Sequence, residues 1–322
     1  MKKFVKVITF LLICFVLLNC LSLVFMPKNN DKLSGMKYEF ARGFYGENMK
    51  SIDVLAIGNS DLYSAFNPLQ LWREQGIPSY VSAEPQQSIF GAYYMLKEVL
   101  TCQKPKLVIL EVDELFSKSE ALDVDDAIAN ALKYNFPLFE YHSRWKDLKA
   151  NDFFDLSPYY KTRMEAKGYL YHNNVKPYKD GFDYMTKKNR STNITYITKV
   201  YLDQFISLAR KNNAEVLFVW FPSATSATSK RHDVVKDIAN SYDIPFIDFN
   251  VNQYDTAFDW KTDSRDGGNH LNYYGAYKMT KYMGKYIKDN YSLPDQRENM
   301  HYQDWNQAYN DFIKKYNIEE IK

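Results

Sequence analysis

The stretch "VLAIGNSDLYSAFNP", residues 54–68, decides how the chain is read. Val54 to Ile57 are apolar, the run stops at Gly58, and Ser60 follows two residues later. A short, continuous apolar run is what a strand needs when helices cover both faces of its sheet. Gly58-Asn59-Ser60-Asp61 is then a sharp exit from that strand, since all four are turn formers. Ser60 reads either as a turn or helix-capping residue or as a nucleophile held at the strand's carboxyl end.

Working outward, further strands are expected at 78–83, 106–112 ("KLVILEV"), 214–221 ("AEVLFVWF") and 244–249 ("IPFIDF"). Helices are expected between and after them at 67–75, 87–100, 192–213, 228–241 and 272–290. This alternation predicts an α/β domain over residues 50–291, a doubly wound, mostly parallel sheet. Ligands of such sheets bind outside the carboxyl ends of the strands, which is where Ser60 falls. Residues 117–190 are rich in Tyr, Phe, Asp and Lys without a strong strand, and are expected to be an insert of short helices and loops. The tail, 292–322, holds one more helical pattern at 302–316.

Lys2, Lys3 and Lys6 precede an uncharged apolar run over residues 7–26. About 20 apolar residues suffice to cross a bilayer, and no small-x-small cleavage site closes the run. Residues 1–26 therefore predict an uncleaved single-pass anchor in the cell membrane rather than a removed signal peptide. The lysines put its start in the cytoplasm and the domain outside, with 27–49 as a polar stalk.

Forty-one basic residues balance 39 acidic ones, with no basic stripe for nucleic acid. Cys14 and Cys20 lie in the anchor and Cys102 stands alone, so neither a disulfide within the domain nor a zinc site is expected. Asp123, Asp125 and Asp126 lack the glycine and glutamate of a calcium loop and read as a solvated acidic turn. No metal and no cofactor is expected. The 27 tyrosines suit sugar rings and ordinary packing alike.

A serine nucleophile needs a base within hydrogen-bond reach. Of five histidines, His270 alone sits in a polar, glycine-bearing loop, "DWKTDSRDGGNHLNYYGA" at 259–276, just before the last helix. Asp259, Asp263 and Asp266 precede it, and an aspartate there fixes the imidazole tautomer. The fold returns this loop to the sheet edge that bears Ser60. Asn59 is expected to hold the turn and Asn272 to cap the last helix. Glu111 and Asp113 would line the site or pair with lysines, and Trp220 and Phe221 would form an apolar wall. Oxyanion or substrate donors are expected from the backbone N–H groups of Ser60 and Asp61, and from Gln86, Gln87 and the backbone at 88–91, ending at Gly91.

"IGNSD" followed far downstream by "DGGNHLNYYGA" resembles the SGNH (GDSL-like) hydrolase superfamily, whose serine lies in the first block and whose aspartate and histidine share the second. "GNSDLYSAFNP" with "QQSIFGAYYMLKEVL…KPKLVILEVDELF" is similar to its membrane-anchored members. These are the D-alanyl transfer protein of teichoic acid loci and the cell-wall polysaccharide O-acetylation proteins. The resemblance spans 50–116 and 190–290 and leaves the insert uncovered. Two departures stand out. The family spaces its pair Asp-x-x-His, whereas Asp266 precedes His270 by four residues and Asp263 is a rival; the Gly-x-Asn-Asp oxyanion block has no match. The resemblance implies an acyl-Ser60 intermediate, His270 as base and then acid, and Asp266 as the orienting carboxylate. It implies acetyl or D-alanyl transfer to or from a teichoic acid or capsular glycan, with a membrane-bound O-acyltransferase as partner. A plain esterase and an inactive scaffold subunit of a wall-modification complex remain as alternatives.

Overall fold

Five apolar runs become the strands β1 (Val54–Gly58), β2 (Ser79–Ala83), β3 (Leu107–Glu111), β4 (Glu215–Trp220) and β5 (Phe246–Asp248). In the computed structural model, which describes residues 2–116, 119–188, 190–251 and 253–318, they form one parallel sheet in the order β2-β1-β3-β4-β5. Every residue of β1, β2 and β3 is buried, as a sheet with both faces covered requires.

Parallel neighbours need long crossovers, and helices supply them. They are α2 (Ser60–Ala65) and α3 (Pro68–Gln75) after β1, and α4 (Ile89–Val99) after β2. Between β3 and β4 come α5 (Glu120–Asn135), α6 (Leu138–Tyr141) and α7 (Tyr196–Lys211). After β4 follow α8 (Ser229–Tyr242), α9 (Tyr273–Asn290) and α10 (Gln303–Tyr316). The starts are chemically specified: the side chains of Asn67, Thr195, Thr228 and Asn272 each accept a backbone N–H of the first turn. Right-handed crossovers place α3 on one face and α4, α7 and α8 on the other. The contacts agree, with α4 against α7 and α9 against α2 and α3. The chain runs outward from β1 to β2, then back past β1 to β3. Strand order therefore reverses between β1 and β3, where a crevice opens at the carboxyl edge.

Three segments differ from expectation. α5 is 16 residues long and packs against α4 and α7, where only short helices and loops were expected. Its outer side is also apolar, which blurs the helical periodicity in the sequence. Asp123 and Asp126 are not a solvated turn: Asp123 accepts from Thr198 Oγ1 at 2.9 Å and Asp126 from Ser88 Oγ at 2.5 Å. The segment 27–49 is no free stalk, because Ala41 and Phe44 are fully buried in the main core and Tyr80 donates to the Phe40 carbonyl at 2.7 Å. Ser117 and Lys118, where the insert was expected to begin, lie outside the described residues.

The tail is part of the fold. Trp305 and Phe312 of α10 join Leu69, Trp72 and Tyr169 in a second apolar cluster, and Trp72 Nε1 donates to Asn306 at 3.0 Å. At the other end, α1 (Lys2–Phe25) is long and apolar enough to cross a membrane, and most of its large side chains from Phe4 to Leu23 are exposed.

Candidate active site

The exit from β1 is built for close approach. A Cβ on Gly58 would come within 2.5 Å of Glu111 Cβ on β3, so only glycine lets the two strands close here. Asn59 then ties the two strand exits together: its Oδ1 accepts the Asp61 N–H at 2.8 Å, and its Nδ2 donates to Asp113 at 3.1 Å. Ser60 opens α2 immediately above the point where strand order reverses.

The histidine loop is a tight hairpin. Ser264 and Leu271 form an antiparallel bridge, and the Arg265 N–H donates to the His270 carbonyl at 3.1 Å. Gly267 and Gly268 sit at φ 86° and 103°, conformations L side chains rarely adopt, and their N–H groups converge on Ser264 Oγ. This turn brings Asp266 back over His270. Asp266 Oδ1 accepts the backbone N–H groups of Asn269 and His270 at 3.1 and 2.8 Å. Its Oδ2 lies 2.5 Å from His270 Nδ1, and His270 Nε2 lies 2.8 Å from Ser60 Oγ. With Nδ1–H donating to the carboxylate, Nε2 is left to accept from the serine hydroxyl. The four-residue spacing is thus absorbed by the paired glycines. The rival, Asp263, is buried elsewhere, accepting Lys278 Nζ at 2.8 Å and the Asp259 N–H at 2.7 Å.

Electrostatics separate the carboxyls. Burial pushes Asp266 up, but hydrogen bonds from the His270 ring and from nearby backbone outweigh it and hold the group below its ordinary value. Asp61, whose Oδ1 is 3.8 Å from His270 Nε2, is driven well above the carboxylate range by burial and then by the charge of Asp113. Burial, then Asp113, does the same to Glu111 and Glu114. Asp113 is itself raised by burial, against a hydrogen bond from Asn59. The two environments thus push in opposite directions, Asp266 toward its ionised form beside His270 and Asp61 toward its neutral one.

These raised groups give stability a pH dependence of known sign. Their protons are held more tightly folded than unfolded, so their contribution is complete below the ordinary carboxylate range and is lost as pH rises toward the raised values. Glu111 Oε2 accepts the Asp113 N–H at 3.2 Å, whereas Oε1 is buried without a hydrogen-bond partner. Glu111→Gln should raise the Tm of the detergent-solubilised chain at pH 8 by about 2–4 °C, the equivalent of about 1 kcal/mol. Little should change at pH 4.5. A variant whose Tm falls with pH as steeply as the wild type would remove Glu111 from this role.

Other expected residues fall elsewhere. The Asp61 N–H is already taken by Asn59, so it is no free oxyanion donor. Gln86 is an exposed turn residue at φ 55°. The Gln87 N–H donates to the Glu84 carbonyl, and Gln87 and Gly91 line a separate cavity of about 410 Å³ with Arg42, Tyr94 and Asn130, whose lining does not include Ser60. Trp220 and Phe221 are wholly buried, stacked on Phe116 and Phe249, and form no open wall. Asp113 accepts from Asn59 and Glu111 from the Asp113 N–H, and among the described residues no lysine pairs with either.

Arg265, to which the sequence assigns no role, also lies at the site. The Arg265 side chain is 12 % exposed, its Nε is 4.0 Å from Asp266 Oδ2, and its Nη1 is buried without a hydrogen-bond partner among the described residues. Arg42, Arg144, Arg190 and Arg231, by contrast, all donate to carboxylates or carbonyls. The available signal was its place in "DSRDGGNH", directly before Asp266. Among the described residues no group of three or more His, Cys, Asp or Glu is placed to hold a metal.

No protein-family model matches the sequence, and no curated protein is similar to it. Solved structures share its outline at low similarity. The lipase/acylhydrolase from Enterococcus faecalis is 10 % identical, with 76 % of this chain and 99 % of that one covered at a TM-score of 0.40. A GDSL-like lipase from Bacteroides thetaiotaomicron VPI-5482 is 12 % identical, with 74 % and 88 % covered at 0.37. The Clostridium thermocellum family 3 carbohydrate esterase is 13 % identical, with 74 % and 96 % covered, also at 0.37. Likeness at this level says nothing about the reaction, which is read from the hydrogen bonds at Ser60.

Proposed function

We propose that the chain is a membrane-anchored, SGNH-type serine enzyme that moves an acyl group, acetyl or D-alanyl, to or from a cell-wall polymer outside the cell membrane. The observation that carries this reading is the series Ser60 Oγ, His270 Nε2 and Nδ1, Asp266 Oδ2, linked at 2.8 and 2.5 Å. Ser60 Oγ attacks the ester carbonyl and passes its proton to His270 Nε2. As the bond to the leaving alcohol breaks, His270 returns that proton to the departing oxygen, and acyl-Ser60 remains. A polymer hydroxyl then gives its proton to His270 and attacks the acyl carbon, and Ser60 leaves with the proton. The Arg265 Nη1, which has no hydrogen-bond partner among the described residues, would donate to a substrate oxygen. The helix α1 confines the reaction to the surface where a membrane-bound O-acyltransferase would present the acyl group. Hydrolysis is the second reading. It is favoured by the exposure of Asp266, whose side chain is 34 % open to solvent, so that water reaches the site.

The test is covalent labelling of the detergent-solubilised full chain with a fluorophosphonate, read by intact mass. One adduct on the wild type that disappears in Ser60→Ala supports an activated serine; a label that persists in Ser60→Ala assigns the nucleophile elsewhere. Partition of the acyl-enzyme between water and an added polyol then separates esterase from transferase.

A further inference from the structure

A broad exposed apolar surface lies on the part of the chain that the site does not use. Val124, Ile128 and Leu132 stand at four-residue intervals along the outer side of α5, all exposed, while α5 packs against α4 and α7. The same stride reaches Phe136, whose ring meets Phe15 of α1 edge-on at 6.1 Å. Beyond it, Phe139, Trp145, Phe153, Phe154 and Tyr159 are all exposed, Trp145 at 64 % and Phe154 at 86 %. A soluble surface rarely displays so many large apolar side chains together without something to cover them.

This region is fastened to the carboxyl end of α1. Arg144 Nη1 donates to the Phe25 carbonyl at 2.5 Å, and its Nη2 pairs with buried Asp152 at 3.2 Å. The Tyr159 N–H donates to the Lys28 carbonyl at 2.9 Å, and α6 lies against α1. Phe15 is ten residues before Phe25, so the contact with Phe136 reaches back about 15 Å along the helix axis. Lysines border the aromatic residues: Lys146 Nζ lies 5.5 Å from the Trp145 ring and Lys161 Nζ 5.5 Å from that of Tyr159. Aromatic rings edged by cations are the composition of a bilayer interface.

We infer that residues 120–160 rest on the membrane, with α6, Trp145, Phe153 and Phe154 immersed in the leaflet from which α1 emerges. The occupant of this surface is lipid, because the patch is continuous with a helix that itself needs lipid around it. The inference rests on the reading of α1 as a membrane anchor. It gives the domain two points of attachment, which fixes its orientation above the bilayer.

Trp145 is the built-in reporter, since Trp72, Trp220, Trp260 and Trp305 are each at most 2 % exposed. The full chain is reconstituted into phosphatidylcholine/phosphatidylglycerol vesicles with brominated acyl chains, and flotation is measured beside tryptophan emission. The expected result is flotation with quenching of part of the emission. That quenched part should vanish in Trp145→Phe and be at least halved in Phe153→Asp/Phe154→Asp, with flotation intact in both. A chain that floats but is not quenched overturns the inference and leaves the anchor standing. If Trp145 is in addition shielded from aqueous iodide, the patch is covered by protein instead. A chain that does not float overturns both readings.

Discussion

The full-length chain carrying Ser60→Ala is expected to lose about 10⁵-fold in turnover of an activated acetyl ester, equivalent to roughly 7 kcal/mol of transition-state stabilisation. His270→Ala should lose nearly as much, and the double variant no more than either alone. Saturation of this kind follows from the proposed mechanism: with Nε2 at 2.8 Å from Ser60 Oγ, hydroxyl and imidazole would act as one nucleophile, and removing either would remove the unit. Residues acting independently would instead multiply their losses. Steady-state kinetics of the three variants decide the matter, with circular dichroism to confirm folding. A Ser60→Ala protein that keeps more than about a tenth of wild-type turnover would make Ser60 a turn residue after all.

The second large effect separates two aspartates that the sequence left as rivals. Asp266→Asn should lower kcat about 10³–10⁴-fold, because an amide no longer stabilises the imidazolium and can hold His270 in the wrong tautomer. The Tm should move little, since the Asp266 side chain is one-third exposed. Asp263→Asn should do the reverse. It breaks a pair between a fully buried carboxylate and Lys278, at a cost of about 3 kcal/mol in stability, yet leaves kcat per folded molecule near wild type. Comparing kcat with Tm for both variants checks the assignment. A loss of turnover in Asp263→Asn alone would transfer the role.

The strands were legible because β1, β3 and β4 are buried on both faces, which leaves near-continuous apolar runs in the sequence. Ser60 stood out because it follows Gly58 at the end of β1, and His270 because it follows the Gly267-Gly268 pair just before α9. The choice between Asp263 and Asp266 was not legible, since it depends on the path of a loop whose two left-handed glycines fold Asp266 back. The expectation of a free Asp61 N–H failed for a related reason. Whether an N–H is free depends on side chains such as Asn59 that claim it, and spacing does not record hydrogen bonds. α5 and the segment 27–49 hid their packing. The first is apolar on two sides; the second buries Ala41 and Phe44 among polar neighbours. Arg265 drew no attention in the sequence because what marks it is an Nη1 without a hydrogen-bond partner among the described residues, a property of the folded state alone.

The distance along the chain between the two halves of the site has a consequence for biosynthesis. Ser60 leaves the ribosome early and His270 only 210 residues later, and neither can act without the other. If Ser60 is the nucleophile proposed above, a growing or prematurely terminated chain carries only an unactivated alcohol at that position. On the proposed mechanism, reactivity at Ser60 therefore awaits synthesis and folding of the loop that carries His270.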